Sequence, residues 1–147
     1  MNKFSLKYGI GIAITLILYF LLSKAIGLHK YPVLSALNGV IYGGGILMAM
    51  KGFKRSTVQF KYQEGFQVGL FCGVIATVLF VSFMAIYLFM LDTEFATGIL
   101  DSWGLSYNKG ALMVLVTIAM MGFSTSIVLT LAFMQLLKES WNTSQAA

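Results

Sequence analysis

Charged residues are scarce in this chain, and they are absent from several long stretches of it. Only 10% of the 147 residues are Asp, Glu, Lys or Arg, whereas 59% are hydrophobic. Soluble domains carry about 25% charged residues and about 45–50% apolar residues. This composition excludes an ordinary soluble fold and predicts an integral membrane protein whose main partner is the lipid bilayer.

Cysteine and proline each occur once, as Cys72 and Pro32. A single cysteine excludes a disulfide within the chain. Cys72 stands between Phe71 and Gly73, so we interpret it as a small buried apolar residue rather than a redox or lipidation site. Pro32 suits the first turn of a helix, because proline has no N–H group to leave unpaired there.

Side chains that catalyse reactions or bind metals are also few. The chain has one histidine and five carboxylates, and the pattern places none of them inside a predicted span. Catalysis and metal binding need several such groups that converge, whereas His29 stands alone in a loop. No P-loop occurs, and no glycine pair follows a strand. We therefore predict no enzyme activity, no metal and no cofactor.

The stretches with little charge predict four transmembrane helices, over approximately residues 8–27, 32–50, 65–91 and 110–137. A helix needs about 20 apolar residues to cross a bilayer. The first stretch also resembles a signal peptide, but a cleavage site fits it only loosely, so we favour a helix. The predicted fold is all-α: a single-domain integral membrane four-helix bundle.

Residues 92–109 form the most polar segment between two predicted spans. Phe95, Ile99 and Trp103 recur there at helical spacing. Tryptophan is enriched at the depth of the lipid headgroups. The segment therefore predicts a short interfacial helix in the second external loop.

Positive charges predict how the chain is oriented. The N-terminal segment, the middle loop and the C-terminal tail carry two, four and one Lys or Arg residues, against two and one in the other loops. Loops rich in Lys and Arg stay in the cytoplasm. Because orientation accounts for the net charge of +5, and no aromatic–basic platform accompanies it, we expect no nucleic-acid partner.

The middle loop has a second interpretation. Its cations are Lys51, Lys54, Arg55 and Lys61. Beyond setting orientation, they could contact anionic lipid headgroups or a partner. Glu64, which follows them, is interpreted as a favourable charge at a helix N-terminus rather than as a transport group.

Small residues recur at intervals of four in three of the predicted spans. They are Ser35, Gly39 and Gly43, then Gly65, Gly69 and Gly73, and finally Gly122 and Ser126. In lipid, small residues let a neighbouring helix approach closely. We expect the Gly39 and Gly43 face to pack against the face from Gly65 to Gly73. The alternative is that one stripe joins two copies of the chain.

Several polar side chains lie deep in the predicted spans. They include Asn38, Tyr42, Thr77, Ser124 and Thr125. Hydrogen bonding between helices explains most such residues in membrane proteins. The alternative is that these five line a polar path through the bundle.

Four features follow one another along the chain: YPVL at residues 31–34, the basic middle loop, YQEGFQVGL at residues 62–70, and a long last span. In this order the chain resembles an uncharacterised bacterial family of small inner-membrane proteins with four predicted spans, a domain of unknown function. The resemblance implies a fold and a location in the bacterial inner membrane. It implies no reaction and no catalytic residue.

Two functions follow as expectations. The first is a non-enzymatic accessory or assembly subunit, or a homo-oligomer, that acts through its glycine-faced helices. The second is a small transporter or channel for a neutral or lipophilic solute, lined by the polar residues of the spans.

Overall fold

The computed structural model describes residues 3–27, 32–58, 61–91, 94, 97–98, 101 and 110–137, with the backbone only for residues 32–35. This part of the chain is all-helical, as predicted. It forms four long helices: α1 (Lys3–Ala25), α2 (Pro32–Ser56), α3 (Tyr62–Ile86) and α4 (Gly110–Leu137). Except at their ends, helices satisfy their backbone hydrogen bonds within themselves, which is what a bilayer requires of a chain that crosses it.

The end of α3 changes its hydrogen-bonding pattern. Residues Tyr87–Leu91 continue the helix as a π-helical turn. Lys24, in the last turn of α1, donates a hydrogen bond to the Tyr87 hydroxyl, and its Nζ lies 4.5 Å from the centroid of that ring. Phe20 packs edge-on against Tyr87, with ring centroids 5.2 Å apart. The π-helical turn is thus held against α1.

In the part of the chain that the structure describes, three helical segments, rather than the four predicted, are long and apolar enough to cross a membrane. They are Lys3–Ala25, Tyr62–Leu91 and Gly110–Leu137. The fourth prediction, α2, is not among them. This helix contains Asn38 and a run of glycines, and its last turns are basic. Each of these features makes a helix less apolar.

The helices also extend beyond the limits that the apolar runs predicted. α2 continues past residue 50 to Ser56, so the cations at Lys51, Lys54 and Arg55 lie on its last turns and not in a loop. α1 and α3 begin earlier than predicted, at Lys3 and Tyr62. An apolar run indicates where lipid surrounds a helix, whereas the backbone hydrogen bonds continue into the polar boundary.

The predicted interfacial helix lies mostly outside the described residues. Within residues 92–109, the structure describes only Glu94, Thr97, Gly98 and Asp101, all helical and exposed. Phe95, Ile99 and Trp103 lie outside them. The interfacial helix therefore stays a prediction.

Helix α3 packs against each of the other three helices. The larger core cluster joins all four helices around fully buried side chains such as Ile46, Met50 and Cys72. A smaller cluster around Met84, Leu88 and Leu115 joins α3, the π-helical turn and α4. Cys72 is buried and free, in agreement with its apolar sequence neighbours.

The outer surface of the bundle is apolar as well. Large hydrophobic side chains are exposed along every long helix, including Leu18, Val40, Val78 and Met120. A soluble protein rarely exposes a continuous apolar surface larger than a few hundred Å². This surface is compatible with a bundle surrounded by lipid.

Candidate functional site

Polar side chains converge at the centre of the bundle around Tyr42 of α2. Its hydroxyl oxygen lies 2.8 Å from Oγ1 of Thr77, 2.9 Å from the carbonyl oxygen of Gly73 and 3.1 Å from that of Gly122. Tyr42 and Thr77 are both buried. These hydrogen bonds tie α2 to α3 and α4. We call Tyr42, Thr77 and Ser126 the Tyr42 cluster.

Ser126 of α4 completes the cluster at the α3 backbone. It is fully buried, and its hydroxyl donates to the carbonyl oxygen of Leu70 at 3.3 Å. On the α1 side, Ser5 donates in the same way to the carbonyl oxygen of Val68, also at 3.3 Å. The hydroxyl groups of α1 and α4 therefore both reach the backbone of α3.

Two glycines make room for this network. A Cβ atom at Gly73 would overlap Ser126 and would lie 2.9 Å from the Tyr42 hydroxyl oxygen. A Cβ atom at Gly122 would lie 2.7 Å from Oγ1 of Thr77. Real Cβ atoms do not approach so closely, so the network requires glycine at both positions. This is the close approach of backbones that small residues permit in membrane helices.

The chemistry available to the cluster is limited to neutral hydroxyl groups. General acid–base catalysis needs a group that exchanges a proton near neutral pH, and a metal site needs several converging ligands. Across the described ranges, no three His, Cys, Asp or Glu side chains lie together. The arrangement can therefore hold helices together, but it offers no nucleophile with an adjacent base.

Two other polar atoms are buried without a partner in the described part of the chain. They are Oδ1 of Asn38 and Oγ1 of Thr130. Thr130 is fully buried and faces Gly69, where a Cβ atom would lie 3.0 Å from its Oγ1. Asn38 is half-buried and stands one turn before Tyr42 on α2.

The small residues of α3 face a different helix from the one expected. A Cβ atom at Gly69 would lie 2.7 Å from Cγ2 of Thr130, and Gly73 faces Ser126, so the close approach is to α4. On the α2 side the same glycines meet the large side chains of Met50 and Tyr42. Bulky residues of α2, and not its glycines, therefore contact Gly69 and Gly73 of α3.

The other predicted packing residues are divided between several environments. Gly43 faces Leu129 of α4, with 3.3 Å from its Cβ position to Cδ1, whereas Gly39 has no atom within 4 Å. Gly65 is buried at the start of α3. The side chain of Ser35 lies outside the described residues. The expected pairing of the Gly39 and Gly43 face with α3 is therefore wrong.

Three glycines that the sequence analysis passed over also make close contacts. A Cβ atom at Gly9 would lie 2.9 Å from Ile75, one at Gly45 would overlap Ile12, and one at Gly52 would lie 3.2 Å from the Tyr8 hydroxyl oxygen. All three pack α1 against α2 or α3. The seven-residue separation of Gly45 and Gly52, which places both on one face of α2, was the available signal.

The predicted polar path is only partly assembled. Tyr42 and Thr77 meet, but Ser124 is exposed and Thr125 is half-buried, and neither bonds to Tyr42. Ser126, which the spacing assigned to packing, takes their place. A helix turns about 100° per residue, so neighbours of Ser126 in the sequence face elsewhere.

The basic residues also divide into two groups. Lys51, Arg55 and Lys61 are exposed. Lys54 is half-buried, and its Nζ donates to the carbonyl oxygen of Leu137 at 3.0 Å. This carbonyl belongs to the last turn of α4, where a cation is favoured by the helix dipole. Lys54 thus caps the C-terminal end of α4, in addition to being one of the positive charges at the end of α2.

A cavity of about 410 Å³ opens beside these cations, where α1 begins, α2 ends and α3 begins. It is lined by Ser5, Phe53, Thr57, Glu64, Gln67, Val68 and Phe71. Glu64 lies in the first turn of α3, as expected for a charge near a helix N-terminus. We call this cavity the boundary groove.

Comparisons with known proteins assign no relative to the chain. No family model, no curated protein and no solved structure matches it. The resemblance to a bacterial inner-membrane family therefore stays a prediction.

Proposed function

We propose that the protein is a non-enzymatic membrane subunit that associates with another transmembrane helix through the outer face of α2. We define this face as Ala36, Val40, Gly44 and Met48. The other helix belongs either to a protein partner, which makes this chain an accessory or assembly subunit, or to a second copy. The bundle is inserted in the bacterial inner membrane with both termini in the cytoplasm.

The insertion of α2 beside the three more apolar helices is part of this proposal. Its 25 residues correspond to a length of about 37 Å, enough to cross a bilayer. Its inner side packs against α1, α3 and α4. A helix held on one side by three membrane helices can lie in lipid although its own composition is less apolar.

The observation that carries the proposal is the open space at Gly44. No atom lies within 4 Å of its Cβ position, while the side chains on either side of it along the helix, Val40 and Met48, are 71% and 63% exposed. A glycine between two large apolar residues forms a notch into which another helix can pack closely.

The contrast with the other helices explains why this face would be covered. Side chains of the same chain already occupy the space next to Gly69, Gly73 and Gly122. Lipid tails gain little from contact with a glycine notch, whereas a helix gains van der Waals contacts along it. The least apolar helix of the bundle therefore benefits most from a protein neighbour.

The transporter alternative has less support from the geometry. A path would have to connect Asn38, Tyr42, Thr77, Ser124 and Thr125, and the last two are not among the hydrogen-bond partners of Tyr42. The single proton of the Tyr42 hydroxyl faces the carbonyl oxygens of Gly73 and Gly122, and its oxygen lies within hydrogen-bond distance of Oγ1 of Thr77. A cluster saturated in this way favours a structural role over the passage of a solute.

The test is native mass spectrometry of the full chain extracted into lipid nanodiscs. We expect the wild type to retain a second copy or a protein partner. Gly44→Leu fills the notch and should reduce the association constant about tenfold, which corresponds to about 1.4 kcal/mol of association free energy.

Gly11→Leu is the matched control, because Gly11 on α1 is also exposed with no atom within 4 Å. It should associate like the wild type. A wild type that stays monomeric without a partner contradicts the proposal. Equal loss in both variants would instead assign the effect to a general disturbance of the lipid-facing surface.

A further inference from the structure

The boundary groove has the size of a binding site and lies at a position suited to lipid. Its volume of about 410 Å³ falls within the roughly 300–1,000 Å³ that is usual for small-molecule sites. Three helix ends form it: the start of α1, the end of α2 and the start of α3. These ends lie next to the basic residues that mark the boundary of the apolar region.

The lining of the groove changes from polar to apolar along α3. Glu64 and Gln67 stand near the start of the helix, and Phe71 lies two turns further on. At a rise of 1.5 Å per residue, the distance along the axis from Glu64 to Phe71 is about 10 Å. Phe53 of α2 adds a second aromatic wall. A ligand with a polar head and an apolar tail matches this change.

Apart from the exposed amide of Gln67, which can both donate and accept, the hydrogen-bonding groups left free in the groove are acceptors. The hydroxyl of Thr57 already donates to the carbonyl oxygen of Phe53 at 3.0 Å, and that of Ser5 donates to Val68. Glu64 is half-buried, and a carboxylate accepts hydrogen bonds without donating any. In the part of the chain that the structure describes, Glu64 forms no ion pair with a Lys or Arg. A ligand that donates hydrogen bonds and carries positive charge would satisfy these acceptors.

Three cations stand close in the sequence to residues that line the groove. Arg55 precedes Thr57 by two residues, Lys61 precedes Glu64 by three, and Lys3 precedes Ser5 by two. All three of these cations are exposed. Exposed Lys and Arg near a membrane surface attract phosphate groups. The groove thus offers an acceptor for an amine, and exposed cations that can attract a phosphate follow or precede its lining residues in the sequence.

We propose that the boundary groove binds a phospholipid with a primary-amine headgroup, of the phosphatidylethanolamine type. The ammonium group donates hydrogen bonds to the Glu64 carboxylate, the phosphate lies toward the exposed cations, and an acyl chain follows α3 past Phe71. This site rests on the membrane insertion proposed above, but it is separate from the outer face of α2 and does not depend on the association proposed for that face.

The proposal discriminates between three common headgroups by their chemistry. Phosphatidylcholine has the same phosphate and the same net charge, but its quaternary ammonium has no N–H to donate. Phosphatidylglycerol has no amine, and its net negative charge is repelled by Glu64. Attraction by the cations alone would instead favour phosphatidylglycerol.

The test places the full chain in vesicles with equal amounts of the three lipids, all carrying the same acyl chains. After gentle extraction, native mass spectrometry identifies the lipids that remain bound. We expect the wild type to retain phosphatidylethanolamine about fivefold over phosphatidylcholine, the size expected for a partly exposed charge-assisted hydrogen bond. Glu64→Gln, which keeps the shape of the side chain, should bring that ratio close to one.

Glu94→Gln is the control, because Glu94 is an exposed carboxylate that does not line the groove. It should keep the wild-type ratio, and so should Gly44→Leu, which separates this site from the association surface. The comparison of the two zwitterionic lipids on the wild type needs no variant and therefore does not depend on how a variant folds. Preferential retention of phosphatidylglycerol, or an unchanged ratio in Glu64→Gln, would overturn the proposal.

Discussion

The α3–α4 interface and the outer face of α2 both carry glycine among apolar residues, yet they are used in opposite ways. At the interface, a Cβ atom at Gly73 would overlap Ser126 of the facing helix. On α2, a Cβ atom at Gly44 would meet nothing within 4 Å. A glycine in a membrane helix therefore does not by itself indicate that another helix approaches closely. The residue that faces the glycine decides whether the helices meet there.

The facing residues explain the difference. Gly69, Gly73 and Gly122 each face a hydroxyl residue of another helix, respectively Thr130, Ser126 and Thr77. These hydroxyl residues are small enough to enter the space above glycine, and Ser126 and Thr77 also form hydrogen bonds there. Around Gly44, the neighbours on the same face are Val40 and Met48, which extend outward. Glycine paired with hydroxyl forms the internal contact, and glycine between large apolar residues leaves a notch.

Among the variants that test this comparison, Gly73→Ala is expected to change the free energy of unfolding most. The added methyl group overlaps Ser126 and disturbs the Tyr42 hydroxyl, so we expect a loss of about 1–3 kcal/mol in the free energy of unfolding. Gly44→Ala adds the same methyl group in open space. It should leave stability unchanged or raise it by up to about 1 kcal/mol, because alanine favours the helix.

Both variants are measured by unfolding in mixed detergent micelles, followed by helix circular dichroism. The comparison requires a difference between the two glycines. Similar losses for Gly73→Ala and Gly44→Ala would mean that α3 and α4 do not approach as closely as the structure has them.

A smaller effect is expected from Tyr42→Phe, which removes the hydroxyl and keeps the ring. Hydrogen bonds between membrane helices contribute about 0.6 kcal/mol on average, so the loss of this shared group should cost about 1 kcal/mol of unfolding free energy. Tyr62→Phe is the control, because Tyr62 is 50% exposed. A Tyr42→Phe variant as stable as Tyr62→Phe would remove the cluster from the contacts that hold the bundle.

The smallest effect is expected from Lys54→Met, which keeps the length of the side chain and removes its charge. Loss of the bond to the Leu137 carbonyl should cost about 0.5 kcal/mol, the size of a charge–dipole contact at a helix end. Hydrogen exchange should become faster in the last turn of α4. Lys51→Met removes an exposed charge and should leave that turn unchanged; faster exchange in both variants would assign the effect to net charge.

The helices were predictable from the sequence because lipid allows few alternatives to a helix. The apolar stretch after Lys109 predicted α4 with the observed limits, Gly110–Leu137. The end of α2 was predicted too early, since Lys51, Lys54 and Arg55 were read as a loop although they continue the helix. Hydropathy reports the surroundings of a helix, and it says little about where the backbone hydrogen bonds end.

The candidate site was predicted less completely than the helices. The sequence identifies Tyr42 and Thr77 only as members of a larger set of polar groups deep in the spans, without pairing them. The sequence identifies Ser126 only as a small residue, whereas it places Ser124 and Thr125 in the polar set although neither bonds to Tyr42. Choosing the neighbouring residue instead of the correct one corresponds to a rotation of about 100° around the helix, which moves the chosen side chain off the interface. The boundary groove had no signal of its own, because its lining comes from three helix ends.

The sequence by itself determined the helical class, the apolar exterior and the shortage of groups for acid–base chemistry, because these depend on composition and on the length of apolar runs. Only the tertiary structure decided that the glycines of α3 face α4, that the Tyr42 hydroxyl reaches α3 and α4, and that Lys54 reaches the end of α4. The physical reason is that several faces of each helix carry small residues and could pack. The choice among them depends on how the side chains of all four helices fill the same space.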